Sequence, residues 1–148
     1  ISYSSIYYQG ESSKMSYYSP HLPLVRDKTN GYKLLDDIRD VVKQNFKMLI
    51  LTNPGERIMI PSYGVGIYKF LFEPYGPVLN QKISEKIREQ SKRYMPFLNI
   101  KNIQFGNEPQ SDGSAQMEPN SLKIVIEYEA PSLSFSDTLS ISFSGGDY

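Results

Sequence analysis

Four glutamates, Glu56, Glu73, Glu85 and Glu89, are the side chains in the first two thirds of the chain best suited to acid–base work. Cleaving a glycosidic bond needs two carboxyl groups facing each other across a cleft, one of them with a raised pKa. The spacing of these four does not supply that arrangement. Glu85 and Glu89 are four residues apart on one solvated helix face, Glu73 precedes Pro74, and Glu56 sits in a turn. His21, the single histidine, lies between Pro20 and Leu22, and there is no cysteine. Zinc-thiolate sets, iron–sulfur clusters and a thiol nucleophile are therefore excluded, and a Ser-His-Asp triad has no support in the sequence. Gly64-Val65-Gly66 lacks the spacing of a phosphate-binding loop and reads as turn geometry. No catalytic residue, cofactor or metal site is expected. The pair Glu56-Arg57 after Pro54-Gly55 is the most suggestive. The planar fork of an arginine on a turn can brace a neighbouring loop or meet a partner, and both readings stay open.

The elements that would carry these residues belong to one domain of 148 residues, long enough to bury a core without metal or disulfide. Sixteen basic and sixteen acidic residues cancel, so the net positive field of a phosphate-binding protein is missing and nucleic acid is not an expected partner. Apolar runs such as Met48-Leu49-Ile50-Leu51 are too short to span a membrane, and the first residues have no apolar signal core. The expectation is a soluble protein that is not secreted and has no membrane partner.

Residues 1–33 are expected to form an extended N-terminal arm and residues 34–148 a single α+β domain. The first 20 residues hold five of the twelve tyrosines, and Tyr7 and Tyr8 are candidate anchors on a partner. Apolar positions 34, 35, 38, 41, 42, 46 and 49 have helical period, ended by the Asn53-Pro54-Gly55 turn. Ile58-Met59-Ile60 reads as a short extended piece stopped by Pro61, and a short helical block follows around Ile67, Phe70 and Leu71. Another helix is expected from about Leu79 to Tyr94, with Leu79, Ile83, Ile87 and Tyr94 inward. Beyond Pro96 the period becomes 2. Leu98 and Ile100, then Ile103 and Phe105 after a shift, suggest one strand, followed by a polar loop from Asn107 to Asn120. Ile124, Ile126, Phe135, Ile141 and Phe143 belong to two alternating runs that read as an antiparallel hairpin over residues 121–143. Helices followed by strands predict helices packed on one face of a small, mainly antiparallel sheet.

The block Thr52-Asn53-Pro54-Gly55-Glu56-Arg57, with Pro61, Gly64 and Leu71-Phe72-Glu73-Pro74, resembles the small baseplate wedge subunit of contractile injection systems. That family, sometimes labelled lysozyme-like, is shared by contractile phage tails and type VI secretion baseplates. The resemblance runs over roughly residues 34–143. It implies a non-enzymatic structural subunit, present in several copies in a six-fold baseplate. Its implied partners are larger wedge proteins and the tail sheath, which it connects to or initiates, with tube or hub proteins nearby. The implied location is the tail baseplate of a virion, reached by assembly in the host cytoplasm; a peptidoglycan hydrolase is the alternative. The family's Glu-Pro-Arg signature is replaced here by Met95-Pro96-Phe97, where an apolar contact through Met95 and Phe97 would have to serve. Together with Tyr7, Tyr8, Glu56 and Arg57, these residues and the hairpin positions Ile124, Ile126, Phe135, Ile141 and Phe143 are the candidate partner-binding set.

Overall fold

In a computed structural model that describes residues 18–28, 31–74, 76–106 and 122–143, the chain divides into two units, Ile1–Val41 and Val42–Tyr148. Tyr7, Tyr8 and the loop expected from Asn107 to Asn120 lie outside the described residues.

In the first unit four two-residue strands, β1 (Ser19–Pro20), β2 (Arg26–Asp27), β3 (Gly31–Tyr32) and β4 (Leu34–Leu35), pair antiparallel as β1 with β4 and β2 with β3. The Tyr18 and Lys33 amides donate to the Leu35 and Val25 carbonyls, each at 2.9 Å. Leu34 and Leu35 are thus strand, not the helix start that their spacing suggests. Helix α1 (Ile38–Leu51) begins after Asp37, whose Oδ1 accepts the Arg39 N–H at 2.8 Å. Such an N-cap satisfies a donor the helix leaves open, stabilising it by about 1 kcal/mol, and two leucines cannot outweigh it.

The second unit holds the rest of α1, the single turn α2 (Ile67–Phe70), α3 (Pro77–Tyr94) and three strands, β5 (Asn99–Phe105), β6 (Leu122–Ala130) and β7 (Phe135–Phe143). The strands form one antiparallel sheet in the order β5-β6-β7. This is the α+β arrangement that the change of period implies. Pro77 opens α3 at a position where the missing N–H has no helical acceptor anyway. The shift read between Ile100 and Ile103 is a bulge between Ile100 and Asn102. A 3-10 turn over Pro131–Leu133, with Ser134 at φ +54°, joins β6 to β7.

Register explains the sheet's two faces. Ile126 lies between Ile103 and Leu139, and Ile124 between Phe105 and Ile141, so alternate positions on all three strands turn to one side. That side forms the core with Phe46 and Leu49 of α1 and Ile83 and Ile87 of α3. Phe46, Ile83, Ile87, Ile124 and Ile126 are fully buried, each favouring the folded state by about 1.5–3 kcal/mol before entropy is counted. The opposite side carries Lys123, Glu127 and Glu129 on β6 and Ser136, Thr138, Ser140 and Ser142 on β7.

Asp137 is the exception on the covered face. Phe46 packs edge-on against Tyr128, the register partner of Asp137, with ring centroids 5.2 Å apart. Lys43, one helical turn before Phe46, pairs with Asp137 at 3.0 Å. Burial alone would raise the Asp137 pKa, but hydrogen bonds from Lys43, the Thr138 amide and Tyr128, with the Lys43 charge, hold it below the usual 3.8. A carboxylate with a depressed folded-state pKa stabilises the fold above its unfolded value, and that contribution disappears as pH falls through the folded value. Replacing Asp137 with Asn should therefore cost about 1 kcal/mol at pH 7, and the gap between variant and parent should close below about pH 4. Urea unfolding of both proteins at several pH values measures this.

Candidate interaction site

Two surfaces of the second unit are built in ways that point outward: the loop over residues 52–66 and the free edge of β7. The loop folds back on the helices through backbone contacts. Val65 N–H donates to the Leu49 carbonyl and Gly66 N–H to that of Thr52, both at 3.0 Å, while Gly64 N–H donates to buried Gln90 Oε1 at 3.1 Å. Gly64 has φ +108°, and a Cβ there would fall 2.1 Å from the Thr52 oxygen. At Gly66, with φ +71°, an added Cβ would lie 2.8 Å from the Pro54 Cδ. The glycines are therefore turn geometry of a strict kind, needed for positive φ and for close backbone approach.

The Pro-Gly turn closes on itself. Glu56 accepts the Asn53 backbone N–H at 3.0 Å and its side-chain amide at 2.6 Å, and these bonds hold the Glu56 carboxyl below its usual pKa. Gly55 N–H reaches the Pro61 carbonyl at 2.8 Å and Ile60 N–H that of Arg57 at 3.2 Å. Ile58-Met59-Ile60 is accordingly a turn and not the extended piece its residue types suggest. β-branched propensity expresses itself against a neighbouring strand, and among the described residues none lies beside this one. The Arg57 guanidinium lies over the Tyr63 ring at 3.8 Å, Tyr63 meets Tyr94 edge-on at 4.9 Å, and Arg93 lies 5.4 Å from the Tyr94 centroid. Ser62 Oγ and the Tyr94 hydroxyl share a hydrogen bond of 2.8 Å. The loop thus meets the end of α3 through Tyr63–Tyr94 and Ser62–Tyr94, and each cation–π contact, one within the loop and one within α3, contributes about 0.5–1 kcal/mol.

The edges of the sheet differ. Gly106 N–H donates to the Lys123 carbonyl at 3.1 Å, which makes that position a hydrogen-bonded pair and turns the backbone of the odd-numbered residues of β6 toward β5. Even-numbered residues of β6 then face β7, and their register partners Leu139 and Ile141 spend their own backbone groups on β6. Ser136, Thr138, Ser140 and Ser142 turn theirs outward. The Thr138 N–H is taken by Asp137 Oδ1 at 2.7 Å, and no described strand lies beyond the others. β5, by contrast, is interrupted by its bulge and has its Ile100 carbonyl bonded by Arg88 at 3.1 Å. Bulges and charged side chains blunt an edge, so β7 is the open one.

The candidate partner-binding residues are placed very differently. Arg57 is exposed on the loop, Glu56 is exposed but bound to Asn53, and Pro96 and Phe97 are exposed after α3. Met95, Ile124, Ile126, Phe135, Ile141 and Phe143 are buried in the core. A partner would reach β7 through its backbone and its serines. Gln90, Tyr63 and Tyr94 went unread as parts of one brace. Gln90 had a signal, since it continues the stripe Ile83-Ile87 with a polar side chain, whereas the meeting of Tyr63 with Tyr94 had none. Glu73 is exposed and paired with Lys82 at 3.2 Å, and Glu85 and Glu89 lie exposed on α3. Among the described residues no cluster of His, Asp and Glu could hold a metal.

Residues 36–132 match the model of the family described as baseplate wedge protein gp25, and the chain belongs to that family. No curated protein matches the chain. Among solved structures it is similar to a chain of the six-fold symmetrised anti-feeding prophage baseplate, with 26% identity and TM-score 0.61 over 79% of this chain and 86% of that one. A Geobacter sulfurreducens protein provisionally labelled a tail lysozyme shares 21% identity at TM-score 0.59, covering 75% of this chain and 94% of that one. That likeness is one of fold. A chain of the postcontracted pyocin R2 baseplate aligns at TM-score 0.47 and 16% identity, over 83% of this chain and 99% of that one. The protein is a baseplate component of the contractile-tail type, with a structural role.

The close approach at Gly64 makes a direct prediction. Gly64→Ala should destabilise the protein by about 3 kcal/mol, because strain at positive φ adds to a clash with backbone that cannot move aside. Urea denaturation followed by far-UV circular dichroism would detect it.

Proposed function

We propose that this chain is a structural wedge subunit of a contractile phage tail whose β7 edge takes a strand from the sheath, joining baseplate to sheath. Larger wedge proteins would be bound by its other surfaces, including the arm with Tyr7 and Tyr8, and tube or hub proteins would lie nearby. It would be present in several copies around a six-fold baseplate, after assembly in the host cytoplasm. The observation that carries the reading is the asymmetry of the sheet. β7 is nine residues long, without proline or lysine, and offers outward backbone groups at Ser136, Ser140 and Ser142, while β5 is bulged and braced. An added strand gains main-chain hydrogen bonds there without disturbing the core.

Proline at Ser140 should remove an outward N–H, leave the β6 ladder intact, and yield folded protein in baseplates that carry no attached sheath. Proline at Ile141 should unfold the domain, since that N–H and side chain are committed inward. Electron microscopy of particles made with Ser140→Pro gives the answer, and normal sheath attachment would overturn the reading.

The proposed role includes no hydrolysis. Glu56 is exposed and its pKa is lowered, the reverse of what a general acid at neutral pH requires, and Glu73 is tied to Lys82. Purified protein should leave peptidoglycan turbidity unchanged; lysis that disappears in Glu56→Gln or Glu73→Gln would refute this.

A further inference from the structure

The tip of the 52–66 loop is apolar at its outermost point and rigid at its base. Ile58 and Met59 are 92% and 91% exposed. An apolar tip on a mobile loop would be unremarkable, but this one is tied down at Gly55–Pro61, Asn53–Glu56 and Gly64–Gln90. It thus loses little backbone entropy on docking. Arg57, next to Ile58, has its guanidinium carbon 3.8 Å from the Tyr63 centroid, and Arg93 lies 5.4 Å from that of Tyr94, at the far end of the edge-on Tyr63–Tyr94 pair. Among the described residues neither arginine has a carboxylate within ion-pair distance, and a guanidinium carries five N–H donors to offer a partner.

We propose that this tip is a second docking surface, separate from the β7 edge, for a segment of another baseplate protein that presents an apolar pocket flanked by carboxylates. Ile58 and Met59 enter the pocket, and the Arg57 and Arg93 forks meet the carboxylates in the planar geometry that a guanidinium favours. The described part of the second unit offers a second copy of this chain few free carboxylates. Between residues 42 and 143 the described carboxylates Glu73, Glu89, Glu129 and Asp137 are paired with lysines, and Glu56 and Glu85 are bonded to Asn53 and Gln81. Only Glu127 is left over, on the polar sheet face.

This proposal rests on the chain being a baseplate subunit, and the test separates the two. A photo-crosslinking amino acid at position 59, a side chain exposed enough to replace without unfolding, is introduced into the full chain, and intact particles are purified and irradiated. The expected product joins position 59 to another protein of the particle, within a few residues of Asp or Glu. Arg57→Glu should lower incorporation into particles at least tenfold, against no change for Lys47→Glu, which alters net charge equally at an exposed α1 position. Incorporation of the labelled chain without a crosslink overturns the docking proposal and leaves the baseplate role standing. So does a crosslink to a second copy, to lipid, or to a segment without acidic residues. Absence of the unaltered chain from the particle overturns both.

Discussion

Everything in the second unit depends on the single covered face of a three-stranded sheet. Such a sheet is not stable alone; its apolar side has to be covered by helices, and here α1 and α3 supply the cover. The Phe46–Tyr128 contact fixes where α1 crosses β6, and the Lys43–Asp137 pair beside it fixes the helix's position along the strands. A carboxylate on the covered face is tolerated because three donors reach it. Since one of those donors is the Thr138 amide, the same aspartate also closes one position of the outer edge.

From that frame the two outward surfaces follow. The end of α1 sets the loop, because Leu49 and Thr52 carbonyls accept from Val65 and Gly66, and α3 supplies Gln90 and Tyr94. The loop is therefore an extension of the core in mechanical terms, although its tip is in solvent. The β7 edge is set by parity: once Ile141 and Leu139 face the helices, the serines between them must turn both their side chains and their backbone groups the other way. These two surfaces, one backbone and one side-chain, are held by different parts of the same scaffold.

The sequence by itself determined a good deal. Periods of 3.6 and then 2 gave α+β, α3 came within two residues of its start, and the shift between Ile100 and Ile103 was visible because a bulge changes which side the apolar residues take. The loop's glycines were legible as turn residues, and the block around Pro54-Gly55-Glu56-Arg57 was legible as family resemblance. These signals are local, carried by spacing within a dozen residues. What only the tertiary structure decided is non-local. Leu34 and Leu35 became strand because Ser19 and Pro20 pair with them, Ile58-Met59-Ile60 became a turn because no described strand lies alongside, and Gln90 became a brace because Gly64 comes within reach. Which edge of the sheet stays open likewise depends on β5 and β7 lying on opposite sides of β6, a choice of neighbours that alternation along one strand cannot encode.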